Sequence, residues 1–134
     1  MDPRQAYQFG LLPLAIWREA RGTSLIAMIG VGFVIKNRVS KPGWWGNDWP
    51  SVILKKFQFS SFNWDDPNSQ NFPKEDDERW KQALMAAQTV WCDTSLDPTG
   101  GATYYFDKSL DSNPPEWSKE QVHTCDIGPF HFYK

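Results

Sequence analysis

The chain has 134 residues and a formal net charge of −2, with both signs interspersed. It lacks the basic stripe that neutralises phosphates, which excludes nucleic acid as a partner. A chain of this length buries roughly two-thirds of its unfolded surface, enough for one core, so a single domain over residues 1–134 is expected. Cys92 and Cys125 are too few for a disulfide framework and lack CxxC spacing, which excludes a structural zinc finger and leaves at most one disulfide.

The N-terminus, Met1-Asp2-Pro3-Arg4-Gln5-Ala6-Tyr7, has no basic region followed by an apolar one, so no secretory signal is visible. A protein made in the cytoplasm and released by another route, or one whose leader has been removed, is expected. Leu11, Leu12, Leu14, Ala15 and Ile16 run into Trp17 through Pro13, a proline tolerable in a first helical turn, and Gly22 stands where a helix C-cap belongs. The pattern predicts a helix over residues 12–21. Ser24 is placed to cap a second helix reaching Val39, whose interior is apolar almost all round and contains Gly30 and Gly32. This is the expected central core helix, its glycines permitting close approach of another segment. Its apolar stretch, about 11 residues, falls well short of the roughly 20 that span a bilayer, so no membrane insertion is expected.

Residues 40–73 are rich in proline, glycine and polar side chains and read as ordered loops around a short segment at 51–57. Trp80, Leu84, Ala87 and Trp91 recur at helical spacing and predict a helix over 74–92. Glu75, Asp76, Asp77 and Glu78 in its first turn complement the helix dipole and are read as structural. A turn follows at Asp97-Pro98-Thr99-Gly100-Gly101. Residues 102–106 then have the composition of a strand, with Phe130-His131-Phe132-Tyr133 as its expected partner.

The chemistry centres on Glu19, which follows an apolar run and could sit in a partly dry cleft where its pKa rises enough to hold a proton near neutral pH. The competing reading is a surface glutamate paired with Arg18, Arg21 or Arg38. Eight Trp, nine Phe and four Tyr offer flat platforms for sugar rings, although most such rings fill cores. No Ser-His-Asp signature and no phosphate-binding loop is present. The two histidines, His123 and His131, separated by seven intervening residues and outside any H-E-x-x-H run, point to no metal, and no cofactor is expected.

In their order and spacing, Glu19-Ala20-Arg21-Gly22, Asn37-Arg38-Val39, Gln58-Phe59-Ser60, Asp97-Pro98-Thr99-Gly100-Gly101-Ala102-Thr103-Tyr104-Tyr105 and the closing Ile127-Gly128 with Phe132-Tyr133 resemble the SleB-type cell wall hydrolases, the family of the spore cortex-lytic enzymes. The resemblance implies an α+β, mainly α, lysozyme-like (goose-type or lytic transglycosylase-like) domain with a small antiparallel β-hairpin. It also implies action on peptidoglycan glycan strands of the bacterial cell wall, at the bond between N-acetylmuramic acid and N-acetylglucosamine; separately, a monomer is expected. Glu19 is then the catalytic acid, and Gln58, Ser60, Thr99, Tyr104 and Tyr105 are the expected substrate contacts.

Asp97 and Thr99 have an alternative role in building the turn. Strand alternation should send one ring of the Tyr104-Tyr105 pair to the core and one to the cleft. Two positions depart from the family pattern: Thr23 replaces a frequent second glutamate, and Phe130 replaces a histidine, with His131 one residue later and so on the opposite strand face. The expected reaction is that of a lytic transglycosylase, in a setting that would suit a phage or prophage endolysin. A hydrolytic muramidase using Asp93, Asp107 or Asp111 as base, and a non-catalytic wall-binding or virion structural protein, remain as alternatives.

Overall fold

A computed structural model of the chain describes residues 1–41, 43–55, 59–92 and 96–134. Helix α1 spans Pro3–Ala20, α2 Leu25–Ser40, α3 Trp49–Leu54 and α4 Glu78–Trp91; strands β1 (Tyr104–Asp107), β2 (His123–Ile127) and β3 (Phe130–Tyr133) follow. Helices α1, α2 and α4 pack on one another, with α3 against α1 and α2. The sheet is antiparallel in the order β1-β3-β2 and lies over α2. This is the mainly helical α+β architecture expected from the sequence. None of the helices among the described residues is long and apolar enough to cross a membrane.

Helix α1 begins nine residues earlier than the apolar run suggests. Asp2 accepts from the Gln5 amide while the Gln5 side chain accepts from the Asp2 amide, and Pro3 fills the first helical position. That reciprocal cap starts the helix, so Pro13 sits inside it rather than in its first turn. The far end follows expectation, since Gly22 takes φ +84° just past the C-cap.

Helix α2 runs as expected, with the Ser24 hydroxyl accepting from the Ala27 amide. Its glycines seat neighbours: a β-carbon on Gly30 would lie 2.8 Å from Phe132 Cζ, and one on Gly32 2.7 Å from Val90 Cγ2. Helix α4 starts later than predicted because Asp77 caps it, accepting from the Arg79 amide and from Trp17 Nε1. Glu75 and Asp76 thus lie outside its first turn. The short segment expected at 51–57 is α3, started by a reciprocal cap between Asp48 and Ser51.

The expected pairing of residues 102–106 with the C-terminal tail is present, with Tyr104 opposite Tyr133 and Phe106 opposite His131. The sheet has a third strand, β2, that the sequence reading did not include. Gly128 and Pro129 join it to β3 as a two-residue turn, with Gly128 at φ +54°. Strand β2 is an edge strand with none of its residues fully buried, so its sequence carries little apolar alternation. Phe130 and Phe132 face the helices and are buried, whereas His131 and Tyr133 face outward. Cys92 and Cys125 are free thiols.

Candidate active site

Glu19 lies in the last turn of α1, where its carboxylate would meet the negative end of the helix dipole. It opens into a cleft of about 520 Å³ whose walls include Arg38, Trp44, Phe59, Ser60, Tyr104, Tyr105, Phe106 and Trp117. Among the described residues Glu19 is the only carboxylate lining this cleft. Burial holds its pKa above the usual carboxylate range, with the Asp66 charge adding to the rise; the hydrogen bond from Tyr105, the nearby Ser61 hydroxyl and the positive charge of Arg18 pull it back. The Tyr105 hydroxyl donates to Glu19 Oε1 at 3.0 Å, and its own pKa stands well above the ordinary value, chiefly through burial, so it remains a neutral donor.

The arginines flanking Glu19 do not pair with it. Arg18 donates to the carbonyls of Ser61, Ser69 and Asn71 and lies between the Phe62 and Phe72 rings, tying the 60–72 loop to α1. Arg21 stacks on Trp17 and donates to Asn68 Oδ1 and the Arg18 carbonyl. This loop carries Ser61, a residue the sequence reading did not single out. Its buried Oγ has no hydrogen-bond partner of standard geometry among the described residues, yet it is close enough to draw the Glu19 pKa down. Thr23, at the position of the family's second glutamate, donates from Oγ1 to the Ala20 carbonyl and finishes the helix end.

The Asn37-Arg38 pair holds the opposite wall. Asn37 Nδ2 donates to Asp97 Oδ2 and to the Ala102 carbonyl, and Arg38 Nε donates to the Thr103 carbonyl. The buried guanidinium lies near the rings of Trp45, Phe59 and Tyr104. Asp97 also accepts from the Thr99 amide and hydroxyl and from the Gly101 amide. Thr99 is completely buried and its Oγ1 accepts from the Ala102 amide, so its place is in the turn and not on the cleft. The structure corrects the expectation of Thr99 as a substrate contact: Asp97 and Ala102 consume its hydroxyl.

Ser60 is exposed on the cleft rim, and Gln58 lies outside the described residues. The two tyrosines divide as strand alternation requires. Tyr105 packs its ring on Phe130 and Phe132 and brings only its hydroxyl to Glu19. Tyr104 turns to the outer face, where its ring lies 4.9 Å from that of Trp117 and 5.8 Å from that of Trp45. Trp44, Phe106 and Trp117 are cleft residues that motif reading missed, and only the high aromatic content pointed toward them. Phe130, at the family's histidine position, is buried against Tyr105. Asp107 caps a short turn and Asp111 pairs with His131; neither lines the cleft, and Asp93 lies outside the described residues.

The profile of the Cell Wall Hydrolase family matches residues 22–133, beginning just past Glu19. A spore cortex-lytic enzyme of Halalkalibacterium halodurans is 30% identical over 112 residues, covering 84% of this chain and 31% of that protein, so the chain spans about a third of the relative's length. The catalytic domain of the germination-specific lytic transglycosylase SleB from Bacillus anthracis superposes with a TM-score of 0.71 at 28% identity, over 95% of this chain and 93% of that one. The catalytic domain of the Bacillus cereus SleB protein gives 0.72 at 27%, over 96% and 91%. A matching profile over most of the chain, a matching fold and a cleft built around a carboxyl at the end of α1 agree with one another: the chain belongs to the SleB-type cell wall hydrolases.

Proposed function

We propose that the chain cleaves peptidoglycan glycan strands between N-acetylmuramic acid and N-acetylglucosamine, as a lytic transglycosylase with Glu19 as its acid and base. The observation that carries this reading is the carboxyl of Glu19, the only one lining the aromatic cleft among the described residues, largely buried and held by a neutral tyrosine. Hydrolases with two carboxyls need them about 5–5.5 Å or 6.5–9.5 Å apart. Where one carboxyl serves, a hydroxyl of the substrate itself can supply the nucleophile. Protonated Glu19 donates to the departing glycosidic oxygen as the bond to C1 of the muramic acid breaks. The resulting carboxylate then takes the proton of that sugar's 6-hydroxyl, whose oxygen bonds to C1 and closes a 1,6-anhydro ring. Each cycle returns Glu19 to its protonated state.

Tyr105 positions the carboxyl and supports its charged form between the two transfers. Tyr104, Trp44 and Trp117 offer faces to the sugar rings, and Ser60 a rim hydroxyl. Digestion of purified peptidoglycan, with the soluble muropeptides read by mass spectrometry, is expected to give anhydro ends. Reducing ends throughout would replace this reading with hydrolysis by a muramidase.

Tyr105→Phe removes the donor to Oε1. Activity is expected to fall about 10–100-fold, the worth of a hydrogen bond to a charged group. The sign of the pH effect follows from the same bond: it lowers the Glu19 pKa, so its loss lets that pKa climb further. The alkaline limb of the pH–rate profile, where the acid form disappears, should move to higher pH. A purely structural Tyr105 would leave that limb in place.

A further inference from the structure

The outer face of the sheet carries a second group of reactive side chains, apart from the cleft acid. On β2 and β3, Asp126 sits directly opposite His131. His123 precedes Asp126 by three residues and in a regular strand would point to the other face. A register irregularity between His123 and Cys125 turns it back, pairing His123 with Tyr133 on the same face as His131. The two histidines that sequence spacing kept apart are thereby brought together. Asp126 Oδ1 lies 2.7 Å from His123 Nε2 and 2.7 Å from His131 Nδ1. The three ligating atoms lie within 4.8 Å of one another.

We infer that His123, Asp126 and His131 form a binding site for one divalent transition-metal ion of the zinc class. A triangle of this size can be spanned at metal–ligand distances of about 2.0–2.2 Å with small side-chain shifts. Two imidazoles and one carboxylate select zinc, cobalt or nickel over magnesium and calcium, which prefer all-oxygen sites. The outer contact supports the assignment: His131 Nε2 donates to Asp111 Oδ1 at 2.7 Å. A carboxylate on the far nitrogen orients a ligating histidine and fixes which nitrogen faces the metal.

His123 and Asp126 are about half exposed, so an ion can enter from solvent and keep water in its remaining positions. Bound there, it ties the start of β2 to β3. Through the contact of His131 with Phe106, at 5.0 Å between ring centroids, and through Asp111, it also steadies the wall of the cleft that carries Phe106 and Leu110. None of the three ligating residues lines the cleft of the reaction proposed for Glu19.

Titrating the full chain with Co²⁺ and following the visible absorption tests this. One ion per chain is expected, without the sulfur charge-transfer band that the exposed Cys92 thiol would add. The melting temperature should rise with free Zn²⁺ and not with Mg²⁺ or Ca²⁺. His123→Ala, at a half-exposed position, should weaken binding at least tenfold while keeping the wild-type circular dichroism, and Asp111→Asn should weaken it about 10–100-fold without touching a ligand. No spectral change in the wild type, equal affinity in His123→Ala, or an equal melting shift with Mg²⁺ would each overturn the assignment and leave a histidine–aspartate hydrogen-bond network.

Discussion

Glu19→Gln is expected to lower the rate of muropeptide release by at least about 10²–10⁴-fold, the contribution of a positioned general acid–base. The substitution preserves shape, and the amide oxygen can still accept from the Tyr105 hydroxyl, so the cleft should be unchanged while the proton is gone. The same variant should be more stable than the wild type at neutral pH. Folding raises the Glu19 pKa above its usual 4.5, chiefly by burial, so the folded state favours the protonated carboxyl. Its contribution is most favourable below the unfolded pKa and is lost as pH rises through the folded value. A glutamine never ionises and escapes that loss. Thermal melts of both proteins should therefore show Glu19→Gln ahead at neutral pH, with the margin closing towards about pH 4. A variant that is inactive and also less stable at every pH would mean that Glu19 is a structural residue.

The cost of keeping a buried carboxyl is what makes Glu19 legible in the sequence. A carboxylate after an apolar run, at a helix end, in a loop-rich chain is costly to keep, and the surrounding motifs show where its neighbours come from. Asn37, Arg38 and Asp97 were visible as motif letters, but their work was not: they hold one another and the turn, and only Arg38 reaches the cleft wall. Thr99 misled for the same reason, since a motif does not tell a hydroxyl facing substrate from one spent inside a turn.

What escaped the sequence reading has local physical causes. The first nine residues of α1 depend on the reciprocal Asp2–Gln5 cap, a signal that Pro13 masked. Strand β2 lies at the edge with one face in water, so its sequence His-Thr-Cys-Asp-Ile alternates weakly. Trp117 enters the cleft from a short turn with no periodicity to place it. The joining of His123 to His131 rests on a strand irregularity that spacing alone does not encode.

Phe132→Ala is expected to cost about 3–5 kcal/mol, a large share of the roughly 5–15 kcal/mol that holds a domain of this size together. Phe132 is fully buried in the central strand, opposite Tyr105 and Cys125, with its ring tip against Gly30. The glycine is there for the ring. Gly30→Ala would gain about 1 kcal/mol of helix propensity. It would also place a methyl 2.8 Å from Cζ and 3.4 Å from both Cε atoms of a ring flanked by Tyr105 and Phe130. Overpacking of that kind costs about 1–3 kcal/mol, so the single variant should be destabilised. In a Phe132→Ala background the clash disappears and only the propensity remains, so the same Gly30→Ala change should stabilise. The two substitutions should therefore be coupled by about 0.5–3 kcal/mol in a urea-unfolding cycle. Equal effects of Gly30→Ala in both backgrounds would show that the glycine does not seat the ring, and that the sheet bearing Tyr105 is anchored to α2 by other contacts.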